Sequence, residues 1–339
     1  MQDRRFNRPC FLIVRISCPL LHTFRSRVCL SPTYSIHKRS LISRSDFIVS
    51  PRNETGLLRI SPSASKFLKE DLEALIIVFR PASSEDVVIL AIDDEGKNKH
   101  LSTPNSNYST LLKTFQDCSE TMRNINKRKR FNVDDFKGIQ DNHVKTFVAK
   151  LHDVIRNTMV AKGTDESTTD TLVSDTLIHV ADMDVWLFKF RQHPFCEIVI
   201  GGKFVSVRPK FVVDKGQFAL VVIEDKHFKN KKLTKRTNYR EAQLAAEILA
   251  CSSVNLREIY GNEYVDQKIF AIHIISTYFT FYHAVITGSY LEELDYGLLL
   301  PKNHSAVIKR WPSKNGVKEG LNIVEIGRRK AILIALAKL

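Results

Sequence analysis

Two periodicities organise the second half of this chain. Across residues 195–224 apolar side chains recur at every second position, the spacing of strands with one face in a core. Val205, Val207, Phe211 and Val213 fall on one face, with Ser206, Arg208 and Lys210 on the other. The spacing predicts strands over Phe195–Ile200, Phe204–Val213 and Phe218–Glu224, joined by turns at Gly201–Gly202 and Lys215–Gly216. A period near 3.6 appears at Phe136–Val160 through Val144, Phe147, Leu151 and Ile155. It appears again over 165–181, where Val173, Leu177 and Val180 share a face with Glu166, and where Thr164 or Asp165 suits the N-cap. Arg240–Cys251 is a third amphipathic helix, and Ile269–Ile286 supplies one long strand or two short ones. Its alternating His273, Thr277, Thr280 and His283 mark it as strand, and no other segment reads as transmembrane.

The order α-β-β-β-α-β predicts an α/β domain, a mixed sheet flanked by helices, over residues 135–339. A small α+β region is expected over 51–130, with an amphipathic stretch at Lys66–Ile77, a strand at Val87–Ile92 and a helical segment at Leu111–Arg123. Residues 1–50 form a basic tail, disordered or targeting.

Charge changes the picture more than composition does. The 339 residues are 43% hydrophobic and 26% charged, as in an ordinary globular protein, but carry a net charge of +14. Such an excess favours polyanions such as nucleic acid. Residues 1–45 hold nine Lys or Arg and one acid, Asp3, so +8 of the surplus sits in the tail. That tail is Arg-rich, Ser-rich and acid-poor, as mitochondrial presequences are, whereas Lys127–Arg130 resembles a nuclear-localisation patch or a solvated hinge. The six cysteines show no C-x-x-C spacing, which points away from a zinc knuckle or disulfide framework; Cys196 and Cys251 are expected as buried thiols. Phosphate-binding glycine loops and G-x-S-x-G turns are absent from the sequence.

The densest chemistry lies in 208–247. On Phe218–Lys226, Leu220, Val222, Glu224 and Lys226 share one face, while Val221, Ile223 and Asp225 share the other. Glu224 and Lys226 therefore emerge together where the apolar run ends. A carboxylate and an ammonium so placed suit Mg²⁺-assisted phosphodiester chemistry, in which acidic oxygens hold the ion and a cation steadies developing charge. Lys229, Lys231, Lys232, Lys235 and Arg236 follow directly and can contact a nucleic-acid backbone, with Arg208 and Lys210 on the preceding strand. Gln243 and Glu247, one helical turn apart, are placed to face the same site. His179, His193, His273 and His283 lack ligand spacing and read as structural.

Arg208-Pro209-Lys210, Glu224-Asp225-Lys226 and Gln243 together resemble the PD-(D/E)XK, restriction-endonuclease-like nuclease superfamily over roughly residues 160–286. The resemblance implies a restriction-endonuclease-like core, with Glu224 a metal ligand, Lys226 the catalytic lysine, and Glu166 the acidic residue of the first core helix. It also implies a catalytic role for Gln243 and Mg²⁺ as the cofactor. Lys210 stands where the family's motif has its aspartate. Asp214 can replace that carboxylate only if a bulge near Lys215–Gly216 shortens the ~13 Å between the two positions. Two functions are therefore expected: a nucleic-acid-binding protein with a divergent metal site of Glu166, Glu224 and Asp214, or a catalytically inactive module in which Lys210 pairs with Glu224.

Overall fold

The computed structural model describes residues 60–89, 137–159, 165–226, 237–299, 305–316 and 319–339; at Met159, Lys226 and residues 237–240 it describes the backbone alone. The basic tail, the expected helix at 111–123, Lys127–Arg130 and the basic loop from Lys229 to Arg236 lie outside the described residues. Val49–Leu339 forms one compact unit.

After a single 3-10 turn (Ala64–Lys66), the described chain forms a short helix α1 (Lys69–Ala74), strand β1 (Ile77–Pro81) and a four-residue helix α2 (Asp86–Ile89). Helix α2 occupies the start of the strand expected at 87–92, because Val88 and Ile89 bury on one side of a helical turn. β1 pairs in parallel with β9 (Ala306–Trp311), so this part of 51–130 belongs to the same sheet as the C-terminal half.

Two helices follow: α3 (Asn142–Met159), and α4 (Glu166–Asp175), which continues as a π-helical turn over Thr176–Val180. Asp165 caps α4 by accepting a hydrogen bond from the Ser167 backbone N–H. Val144, Phe147 and Leu151 of α3 are fully buried, and they share a core with Leu172, Val173 and Leu177. Glu166 is exposed at the first turn of α4, although it shares a helical face with Val173. One turn closer to the N-terminus than the last packed residue, that face has passed the edge of the core.

Next come β2 (Phe188–Gln192), β3 (Cys196–Ile200), β4 (Lys203–Val207), β5 (Phe211–Lys215) and β6 (Phe218–Lys226). The sequence predicts one strand over 204–213, and the chain makes two. Pro209, which has no N–H to give a ladder, separates β4 from β5. β3 and β4 form their own two-stranded ribbon, while β5 enters the main sheet between β2 and β6. Helix α5 (Thr237–Glu258), β7 (Gln267–Ile275), β8 (Tyr278–Ile286), α6 (Gly288–Tyr296), β9, β10 (Leu321–Asn322) and α7 (Ile326–Lys338) complete the fold.

The main sheet runs β1-β9-β8-β7-β6-β5-β2, with β10 paired to β8. β2, β5 and β6 are an antiparallel meander, and β7 lies parallel to β6. A short turn joins β5 to β6 and the β3–β4 ribbon returns the chain from β2 to β5, whereas the crossover through α5 lets β7 run parallel alongside β6. β6 is apolar on both faces because both are covered. Val222, Ala271 and Ala284 face α5, while Val221, Ile223 and Ile272 face α3 and α4. The molecule is thus an α/β protein with a mixed sheet flanked by helices. Among the described residues no helix is long and apolar enough to cross a membrane.

Candidate functional site

Strand alternation sends Glu224 and Asp225 into different helices. Glu224 follows Val222 onto the α5 face, where it is almost fully buried and its Oε1 accepts a hydrogen bond from Gln243 Nε2 at 2.9 Å. The same amide donates to Glu247 Oε1 at 2.8 Å. Positions 243 and 247 lie one turn apart on α5, so one glutamine holds two buried carboxylates together. Lys226 ends β6 opposite Ile275 of β7, and its side chain lies outside what is described.

His273 is the neighbour of Glu224 on the parallel strand, in the register Glu224↔His273, and it faces α5 as Ala271 does. Thr280 Oγ1 donates to Asn315 Oδ1 at 3.3 Å, and His273 Nδ1 lies against the same amide, 2.9 Å from its Nδ2 and 3.2 Å from its Oδ1. A buried threonine, asparagine and histidine are thereby aligned beside Glu224. Further along, Tyr282 and Arg310 both donate to Glu241 near the N-terminal end of α5. Burial, then the Glu241 carboxylate, pushes the Tyr282 hydroxyl well above its ordinary range, so it stays a neutral donor. These groups form a polar layer at the carboxyl ends of β6 and β7, where open α/β sheets place their ligands.

Asp225 follows Val221 and Ile223 to the opposite face, against α4. Lys210 Nζ stands 3.0 Å from Asp170 Oδ2 on α4 and 3.9 Å from Asp225 Oδ1. Burial, with the Asp170 carboxylate beside it, pushes Asp225 up to about 8. Burial alone would lower the Lys210 ammonium; Asp170 and Asp225 outweigh it and raise it.

The inactive-module reading expects an ion pair between Lys210 and Glu224, and the structure gives Lys210 other partners. Phe211 opposes Ile223, so one more ladder position would set Lys210 opposite Glu224. The ladder stops at Phe211, just after Pro209, and the lysine turns to the α4 side instead.

The carboxylates expected to share a metal are not brought together. Asp214 accepts a hydrogen bond from Arg191 at 2.7 Å, and burial, opposed by that guanidinium, leaves its acidity reduced. The ladder between β5 and β6 does shift, between Val213 and Asp214. Asp214 nevertheless opposes Ala219, five residues before Glu224 and ~17 Å along the strand. Glu166 lies on the helix across the sheet. Mg²⁺ needs converging oxygens, and Glu166, Glu224 and Asp214 do not fit it as a set. Among the described residues no group of three or more His, Cys, Asp or Glu side chains is arranged to hold a metal ion.

Arg208 is exposed at the end of β4, and Cys196 and Cys251 are buried free thiols. Sequence reasoning missed Asn315 and Asp170, and read His273 as structural without placing it beside Glu224. Pairing between β6 and β7 selects the histidine, and neither spacing nor residue type signals it. Compared with protein-family models and with curated proteins, the sequence matches none.

Proposed function

We propose that this chain is a nucleic-acid-binding protein built on a restriction-endonuclease-like core, with its binding centre at the carboxyl ends of β6 and β7. The observation that carries the reading is topological: an antiparallel meander β2-β5-β6, a parallel β7 reached through α5, and α4 and α5 on opposite faces. β3 and β4 stand aside as an inserted ribbon, which leaves the core order α-β-β-β-α-β. The Glu224-Asp225-Lys226 run ends the third strand of this core, and Gln243 on the following helix bonds Glu224.

In this reading Lys226, with the basic residues that follow it, meets backbone phosphates. Gln243 and the Asn315–His273 pair hold the buried polar layer in place beneath them. Phosphodiester hydrolysis is a second reading, favoured by one observation. Gln243 brings the carboxylates of Glu224 and Glu247 together, and Lys210 is turned away from them.

One assay separates the two. The full chain is incubated with labelled DNA and RNA, with and without Mg²⁺ or Mn²⁺, alongside Glu224→Ala and Lys226→Ala. Binding without cleavage supports the first reading. Metal-dependent cleavage lost in both variants supports hydrolysis, and failure to bind either polymer overturns both.

A further inference from the structure

Four neighbouring strands, β1, β9, β8 and β7, contain no aspartate or glutamate. Their cations are Arg80, Lys268, Lys309 and Arg310. Arg310 lies on the α5 side, where it pairs with Glu241. The other three share the opposite face. Ile77 of β1, Ile308 of β9, Ala284 of β8 and Ile269 of β7 pack in the core beneath α5. Alternation therefore turns Val78 and Arg80, Val307 and Lys309, His283 and Val285, and Lys268 the other way.

Register sets these residues in two rows. Arg80 stands opposite Lys309, and Lys309 opposite His283. Val78, Val307, Val285 and Lys268 form the row beside it. Arg80 and Lys309 are exposed and Lys268 is half-buried; Val78 and Val285 are 39% and 41% exposed. Cations on strands ~4.8 Å apart repel each other. The same charges act on the histidine between them: burial, then the Lys309 and Lys268 ammoniums, hold His283 down to about 4, so it stays neutral. α2 packs against β8 and β9 on this side, but Lys338 of α7 takes its acids, Glu85 at 2.9 Å and Asp86 at 3.6 Å.

We infer that this face holds the phosphate backbone of a nucleic acid, with Arg80 and Lys309 as the principal contacts and Lys268 beside them. A basic surface built on strands without acids complements a continuous line of phosphates, and contact releases counterions condensed on the polymer. The valines beside the cations offer no side-chain hydrogen bonds to base edges, so the contact positions the polymer without reading its sequence. The inference rests on the nucleic-acid-binding reading. It adds a second surface, on the face of the sheet away from Glu224 and His273.

The test uses the full chain with labelled DNA and RNA, single-stranded and duplex, read by fluorescence anisotropy over a salt series. Arg80→Gln and Lys309→Gln should each weaken binding about fivefold and lower the slope of log K against log salt by about 0.9 on duplex DNA. The loss should be equal for duplexes of unrelated sequence. Lys189→Gln, which removes an exposed cation from β2, should change neither affinity nor slope. Arg80→Lys and Lys309→Arg keep the charge and should bind as the parent does; weakened binding in these as well would overturn the inference.

If the parent binds nucleic acid and both glutamine variants keep its affinity and slope, this inference falls and the proposed function stands. If the parent binds none of the polymers, both fall. Labelled oligoglutamate is the remaining probe. If it binds more tightly than nucleic acid and loses that advantage when Arg80 and Lys309 are both replaced by glutamine, the face fits an acidic protein segment and the inference is overturned.

Discussion

Glu224 and Asp225 are adjacent in sequence, yet the sheet separates their chemistry. That separation was legible, since alternation alone puts them on opposite faces of β6. Of their partners, Gln243 was placed toward the site by its spacing from Glu247, whereas Asp170 was not singled out, because the azimuth of α4 depends on packing. Asp225 carries a pH prediction. Its native acidity is displaced upward to about 8 by burial and by Asp170, above the ~4 of an unfolded aspartate. The folded protein therefore holds a proton that the unfolded chain releases, and this stabilisation is complete below pH ~4 and lost as pH rises toward 8. Urea denaturation across that window should show stability falling with pH, and Asp225→Asn should flatten the slope; an unchanged slope in the variant contradicts the assignment. Lys210 is the counter-charge of the same cluster. Replacing it by aspartate sets a third carboxylate beside Asp170 and Asp225 and should cost roughly 3 kcal/mol in urea denaturation. A neutral effect would show that the lysine does not compensate them.

At the scale of elements, α5 does more than cover the sheet. Near its C-terminal end, Asn255 Oδ1 accepts from the Ala219 N–H at 2.9 Å, and its Nδ2 donates to the Ala219 carbonyl at 3.1 Å. Ala219 lies at the register shift between β5 and β6, so a side chain supplies bonds where the regular ladder is interrupted. Asn255→Leu should leave both backbone groups unpaired in the core and destabilise by roughly 2–4 kcal/mol in urea denaturation. Less than about 0.5 kcal/mol, the range of an ordinary surface change, would contradict that role. A bulge near Lys215–Gly216 entered the sequence reading only as the condition for Asp214 to approach Glu224; a shift falls between Val213 and Asp214, and the approach does not occur. The break at Pro209 was missed because alternation continues through it, from Val205 and Val207 to Phe211 and Val213. The face was not carried across the break either: Val205 and Val207 pack in the core beneath α5, whereas Phe211 and Val213 pack in the core beneath α3 and α4. The short edge strand β2 went unseen although Phe188, Lys189, Phe190 and Arg191 alternate as a half-buried strand does, because five residues make too short a run to stand out.

At the scale of the molecule, the sheet order explains why residues 211–226 and 267–275 lie side by side although α5 lies between them in sequence. The crossover returns β7 to the side of β6, and the carboxyl ends of both strands meet the N-terminal half of α5. The class of fold was legible from the order of periodicities; the inclusion of β1 beside β9 was not, since parallel pairing across more than two hundred residues leaves no local trace. The charge is equally uneven, with +8 of the +14 placed in residues 1–45, so affinity for a polyanion alone does not locate the binding surface. Hydrogen exchange of the full chain, with and without a single-stranded oligonucleotide, tests the location most directly. The account predicts slowed exchange across 211–226 and 267–280. Protection confined to residues 1–45, with those segments unchanged, would contradict it.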